Sequence, residues 1–155
     1  MLGIKIALVH GDYSPENVIV TGEDIFLVDF EVVHYGNPTF DLGFMFNHLL
    51  LKAVHNRHIK DEYFGLAEAF WRGYRSGSGE SGWARSIVPQ VGCLMLAGID
   101  GKSPAEYIVD PGAKDLSRRL AKKLMTAGVG DLAGMIQLAN TEITRYTRLS
   151  GRPRA

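Results

Sequence analysis

The stretch His10-Gly11-Asp12-Tyr13-Ser14-Pro15-Glu16-Asn17, followed further on by Val28-Asp29-Phe30-Glu31, decides how the rest of this chain is read. It supplies a carboxylate at Asp12, an amide at Asn17 and a second carboxylate at Asp29. Phosphoryl transfer asks for positioning and charge neutralisation more than for covalent chemistry. A carboxylate accepts the proton of the attacking hydroxyl, and magnesium ions bridge the phosphate oxygens. Magnesium prefers oxygen ligands and is held by one or two carboxylates plus waters and phosphates. Asp12 suits the base, and Asn17 and Asp29 suit the metal ligands.

The intervening sequence brings the two ligands together. Asn17-Val18-Ile19-Val20 and Ile25-Phe26-Leu27-Val28 are β-branched or apolar runs flanking the polar segment Thr21-Gly22-Glu23-Asp24. That pattern predicts a hairpin. A three-residue loop of Gly22, Glu23 and Asp24 pairs Thr21 with Ile25 and sets Asn17 opposite Asp29. Directly opposed residues have Cβ atoms roughly 4.5–5.5 Å apart. A loop one residue shorter or longer still leaves the two as neighbours.

The protein-kinase catalytic loop has the form H-R-D-x-x-x-x-N, with D-F-G downstream. Here the loop is H-G-D-Y-S-P-E-N and the triplet D-F-E, with the same Asp-to-Asn spacing. The segment Leu8 to Gly43 resembles the aminoglycoside phosphotransferase family, small-molecule kinases with a protein-kinase-like fold. Gly36-Asn37-Pro38-Thr39-Phe40-Asp41-Leu42-Gly43 is similar to that family's helix-opening G-x-P-x-x-D-L-A/G segment. Ile99 to Tyr107 is similar, less specifically, to broader phosphotransferase members. The resemblance implies an ATP-dependent transfer to a hydroxyl of a small molecule. Asp12 would be the catalytic base, and Asn17 and Asp29 would hold Mg2+ against ATP. His10, counted with them in the cofactor-binding set, would brace the loop. Asp41 would hold the loop backbone from the next helix, and Glu31 marks the small-molecule branch.

A kinase-like fold also has an N-terminal lobe with a Gly-rich loop, a strand Lys and a helical Glu. Met1 to Val9 is too short to hold these. The expected fold is therefore α+β and mainly helical: a protein-kinase-like C-terminal lobe with the N-terminal nucleotide lobe absent. Residues 1–36 form the catalytic loop and metal-binding hairpin, 37–150 a helical part, and 151–155 a basic tail. Missing packing surface predicts exposed apolar area and a homodimer. The two readings are a truncated catalytic portion and a non-catalytic dimerising or partner-binding module.

Composition narrows the field. The chain has 155 residues, 46% of them hydrophobic, enough for one domain with a real core. Lys plus Arg (17) equals Asp plus Glu (17), so no basic field argues for nucleic acid. No stretch approaches the roughly 20 apolar residues of a membrane span. Cys93 is the only cysteine, which excludes an intrachain disulfide and fits a reducing cytoplasm. Its apolar helical surroundings predict a buried, inert thiol.

Beyond the hairpin the apolar spacing is helical. Helices are predicted at Thr39 to about Val54, with Thr39 as N-cap, and at Asp61 to Tyr74. Ser76 to Gly82 is predicted to be a loop. A third helix runs from Trp83 to about Gly98, beginning or kinking at Pro89. Ser103 and Pro104 open a short turn. The last helices run from about Ala113 to Thr126 and from Asp131 to Arg148. The opening Leu2 to Val9 is a strand rather than a signal peptide. His48, His55 and His58 lack clustered carboxylate or Cys ligands and read as solvated or core side chains. Gly101-Lys102-Ser103 lacks the rest of a phosphate-binding loop. Phe64, Phe70, Trp71 and Tyr74 read as core, and Arg118, Arg119, Lys122 and Lys123 as a solvated face.

Overall fold

The computed structural model describes residues 6–79 and 83–150. The readings of Leu2 to Lys5, of Glu80 to Gly82, and of the tail from Gly151 lie outside the described residues. The expected mainly helical α+β class is found, with two small antiparallel sheets followed by five helices.

The predicted hairpin forms from β2 (Val18–Thr21) and β3 (Asp24–Leu27). Its loop is two residues rather than three, because Thr21 pairs with Asp24 and Val18 with Leu27. Gly22 has φ +59, while Glu23 stays at negative φ. That is the φ pattern of a type II′ turn, with Gly at the first central position, whose twist suits a tight hairpin. Continuing the register sets Asn17 opposite Val28, whose N–H donates to the Asn17 carbonyl at 3.1 Å. Asp29 therefore lies one residue past direct opposition, where a shorter loop was expected to leave it.

A second sheet was not foreseen. β1 (Ala7–Val9) pairs with β4 (His34–Gly36) in antiparallel register, Ala7 with Gly36 and Val9 with His34. It closes residues 10–33 into one excursion that returns to its starting point.

Helix α1 (Thr39–His55) is apolar nearly all round and is the centre of the core. Phe46, Leu50, Leu51, Ala53 and Val54 are essentially inaccessible to solvent. Full burial of one such large apolar side chain stabilises by about 1.5–3 kcal/mol. The cap of α1 differs from expectation. Asn37 Oδ1 accepts from the Thr39 N–H at 3.0 Å and from its hydroxyl at 2.9 Å.

Helix α2 (Lys60–Ser78) runs through Ser76 to Ser78, where a loop was expected. It ends at Gly79, whose left-handed φ of +71 closes the last turn onto the Arg75 carbonyl. Helix α3 (Ala84–Asp100) contains Pro89 rather than starting at it. Helix α4 (Pro111–Thr126) has Pro111 in its first turn, and the Asp110 carboxylate accepts from the N–H groups of Gly112 and Ala113. The short turn expected after Ser103 and Pro104 lies at Ala105 to Ile108, where the Ile108 N–H donates to the Ala105 carbonyl at 3.0 Å. Helix α5 (Leu132–Ser150) completes the bundle. Helices α3 and α4 pack closely at Gly92, where an added Cβ would stand 2.6 Å from the Ala121 carbonyl oxygen. No helix among the described residues is long and apolar enough to cross a membrane.

Candidate active site

The loop from His10 to Asn17 is held mainly by hydrogen bonds, with the Tyr13 ring packed against the core beside Phe70. Asp41, in the first turn of α1, accepts from the His10 N–H at 2.7 Å and the Gly11 N–H at 2.9 Å. Bonds to an ionised carboxylate are the stronger kind. Gly11 has φ +85, and a Cβ there would lie 2.8 Å from the Val32 carbonyl oxygen, so only glycine fits.

The His10 ring is buried and joins loop to hairpin. Its Nε2 lies 3.0 Å from the Val28 carbonyl, and its Nδ1 lies 3.3 Å from the Asp12 N–H. The Nε2–H tautomer satisfies both contacts. His10 thus spans the residue before Asp29 and the backbone of Asp12.

Asn17 closes the loop on Asp12. Its Nδ2 donates to the Asp12 carbonyl at 2.8 Å and to Asp12 Oδ2 at 3.0 Å. Both partners are acceptors, which fixes the amide orientation. Among the described residues, Asn17 Oδ1 makes no hydrogen bond. Asp29 is exposed, and its carboxylate has no hydrogen-bond or ion-pair partner among them. It is the one non-glycine residue of the described chain at positive φ, +66. Such a conformation costs of order 1–3 kcal/mol and persists where the surroundings enforce it. Here β3 and the Val28–His10 bond do so.

Two groups with oxygens free of protein partners, the Asp29 carboxylate and the Asn17 amide, suit magnesium, which keeps most of its shell for water and phosphate. No cluster of three or more His, Cys, Asp or Glu side chains among the described residues forms a denser cation site. Glu31 is exposed beside this set.

The profile of the phosphotransferase enzyme family matches residues 4–86, more than half of the chain. The chain belongs to this family. The matched part of the chain holds every site residue just described. It is also similar to a probable bifunctional tRNA threonylcarbamoyladenosine biosynthesis protein of Methanosarcina barkeri (strain Fusaro / DSM 804), at 34% identity over 68 residues. That stretch is 44% of this chain and 12% of the relative, so the chain spans a small part of the relative's length. No solved structure gives a significant match.

Sequence reasoning passed over a cluster at the end of the loop. Glu16 Oε1 lies 2.7 Å from Lys52 Nζ. Glu16 Oε2 lies 3.4 Å from His48 Nδ1, without hydrogen-bond geometry. Partial burial pushes the Glu16 carboxyl up, but the Lys52 hydrogen bond, a backbone N–H and the Lys52 and His48 charges outweigh it and hold it below its ordinary value. Burial lowers His48, with Lys52 adding to the effect and Glu16 and Asp12 opposing it. Tyr107 lies beneath Lys52, with Nζ 5.1 Å from the ring centroid. Burial and then the Glu16 charge raise its phenol well above the usual range. The available signal was the His48/Lys52 spacing of one helical turn, together with a carboxylate in the loop.

The remaining candidates separate. His48 faces Glu16, His55 meets the Tyr107 ring and His58 is exposed, so the three share no metal site. Gly101-Lys102-Ser103 follows a helix, not a strand. Phe64 is buried, and Phe70, Trp71 and Tyr74 pack half-buried on the core. Arg118 pairs with Asp100 and Asp115, and Lys123 with Glu142, so these two are not simply solvated. Cys93 is exposed, contrary to expectation, with its thiol 3.4 Å from Met125 Sδ.

Proposed function

We propose that this chain carries the catalytic loop and metal-binding hairpin of an ATP-dependent phosphotransferase with a protein-kinase-like C-terminal lobe. The acceptor is a hydroxyl of a small molecule, and the setting is the cytoplasm. Asp12 is the base that takes the hydroxyl proton. Asn17 and Asp29 are the residues that would hold Mg2+ against the ATP phosphates, and the metal supplies charge neutralisation there. His10 and Asp41 keep Asp12 and the hairpin in register. The observation that carries this reading is the Asn17 amide, which donates to Asp12 while leaving its own oxygen available. One side chain thereby couples the base to the metal position.

The balanced charge supports a small acceptor over nucleic acid. The relative's name concerns tRNA modification, but 12% coverage is too little to carry its activity over. Asp61 and Glu68 pair with Lys60 and Arg72, and with Glu62 and Glu106 they read as ordinary surface charge rather than a cation trap. Turnover of Mg-ATP against a panel of hydroxyl compounds tests the assignment. Asp12→Asn should lower it by roughly 10²–10⁴-fold, the usual contribution of a general base. Undiminished turnover would remove Asp12 from the role.

A second reading is favoured by a different observation. Leu8, Val20, Ile25, Phe26, Phe30 and Tyr35 all stand more than half exposed around the site. Exposed apolar side chains on both faces of the hairpin and on the neighbouring strands favour an interaction role. In this reading the chain is a non-catalytic module that pairs with a second copy. It predicts a concentration-dependent dimer by sedimentation and no affinity for Mg-ATP. A monomer that turns over ATP excludes it.

A further inference from the structure

Glu16 stands between the proposed base and the proposed amide ligand, yet the chemistry above gives it no task. It is the middle residue of the 3-10 turn Pro15–Asn17, whose last residue is Asn17. The turn's own backbone bonds, from the Asn17 N–H to the Ser14 carbonyl and from the Val18 N–H to the Pro15 carbonyl, are local. They define its shape but not its place relative to the helices. Lys52 and His48 are one turn apart on α1, which is the most deeply packed helix. The Glu16 carboxylate reaches both. Lys52 is in turn held from its other side by the Tyr107 ring, itself in edge contact with His55. The loop is therefore pinned to α1 at two points. Asp41 grips its start at His10 and Gly11, and Lys52 grips its end beside Asn17, with His48 packed alongside.

We propose that Glu16 is a positioning residue: its bridge to Lys52 sets where the Asn17 amide stands relative to Asp12 and Asp29, and so sets the affinity of the site for Mg-ATP. This rests on Asn17 and Asp29 being the metal ligands. The competing view is an ordinary surface ion pair. Glu16 is 49% exposed, and exposed pairs contribute little to stability. The two views part on what the pair controls. An ordinary pair moves neither affinity nor stability much, whereas a positioning pair moves affinity alone.

Calorimetric titration of the full chain with Mg-ATP distinguishes them. Glu16→Gln and Lys52→Met should each weaken binding roughly 10–100-fold, the range for partners that orient metal ligands. Combining the two should cost little more than either alone. Exchanging the charges, Glu16→Lys with Lys52→Glu, should recover most of the affinity. If Glu16→Gln binds like the parent while Asp29→Ala does not bind, the positioning role is overturned and the metal assignment stands. If the parent shows no affinity, both are overturned. If weakening tracks a lowered Tm and the exchanged pair does not recover, the residue is structural and the proposal fails.

Discussion

Residues 6–36 and the helices from Thr39 onward are ordered by different forces. Of the fourteen large apolar side chains standing exposed among the described residues, eleven lie between Ile6 and Tyr35, and only Leu66, Val109 and Leu149 belong to the helical part. The buried core shows the reverse: Val9 is its sole apolar member before α1. The first region is instead organised mainly by polar bonds that converge on α1, through Asp41 and Lys52, and within itself, through His10 and Asn17, with Tyr13 and Val18 as its packing contacts with the core. A two-stranded hairpin alone is marginal in water. This one keeps its register through the tight turn and the His10–Val28 bond while both faces remain uncovered. The difference teaches that the helical part supplies stability while the loop–hairpin carries the proposed chemistry, with α1 as the shared element.

Between Leu8, Leu27, Phe30, Val33, Phe70 and Tyr74 lies an open groove of about 630 Å³, with His10 and Asp41 also in its wall. It runs along the border of the two regions. A perturbation of either one should be felt there, but in unequal measure.

The largest effect should come from the core. Phe46→Ala removes a side chain that is 1% exposed and is expected to cost about 3–5 kcal/mol in urea unfolding. Phe26→Ala, on the open hairpin at 53% exposure, should stay within about 0.5 kcal/mol. Equal costs at the two positions would break the comparison.

Next in size is the link between regions. Asp41→Ala strands the His10 and Gly11 N–H groups and should cost about 2–3 kcal/mol. Amide exchange should rise at His10 and Gly11 while α3 and α4 stay protected. Protection unchanged at the loop would mean that something other than Asp41 holds it.

The smallest effect is the acid limb of stability. Burial holds His48 below its ordinary value of 6.5, so the unfolded chain takes up this proton at higher pH than the folded protein does. The contribution is complete above 6.5 and is lost as pH falls below it, until the folded group also titrates. Glu16, held below 4.5, adds a second loss at lower pH, as pH falls through its folded value. Thermal melts of His48→Gln should show the upper limb flattened and the lower one retained. An unaltered upper limb would assign it to another group.

Much of this was legible in the sequence because it is local. The Asp12–Asn17 spacing, the hairpin and the helical periods each span only a few residues. The misses are long-range or turn on one dihedral. The loop length hinged on Gly22 alone taking positive φ, which Gly22-Glu23-Asp24 does not announce. Strand β4 is three residues whose partner lies far back in the chain. Cys93 was misplaced because α3 is apolar over much of its surface. Its buried stripe runs through Val88, Val91, Gly92, Met95 and Ile99, and residue 93 falls outside it. Gly79, not the Ser-Gly run before it, ends α2. The Glu16 anchor needed α1 brought against the loop before its partners could be seen.

The central claim is that Asn17 and Asp29 build a magnesium–nucleotide site around Asp12. Calorimetric titration of the chain with Mg-ATP, in parallel with its Asp29→Ala variant, tests it most directly. Saturable, magnesium-dependent binding by the parent that disappears in Asp29→Ala is the predicted result. Binding that survives in the variant, or no binding by a folded parent, would contradict the account.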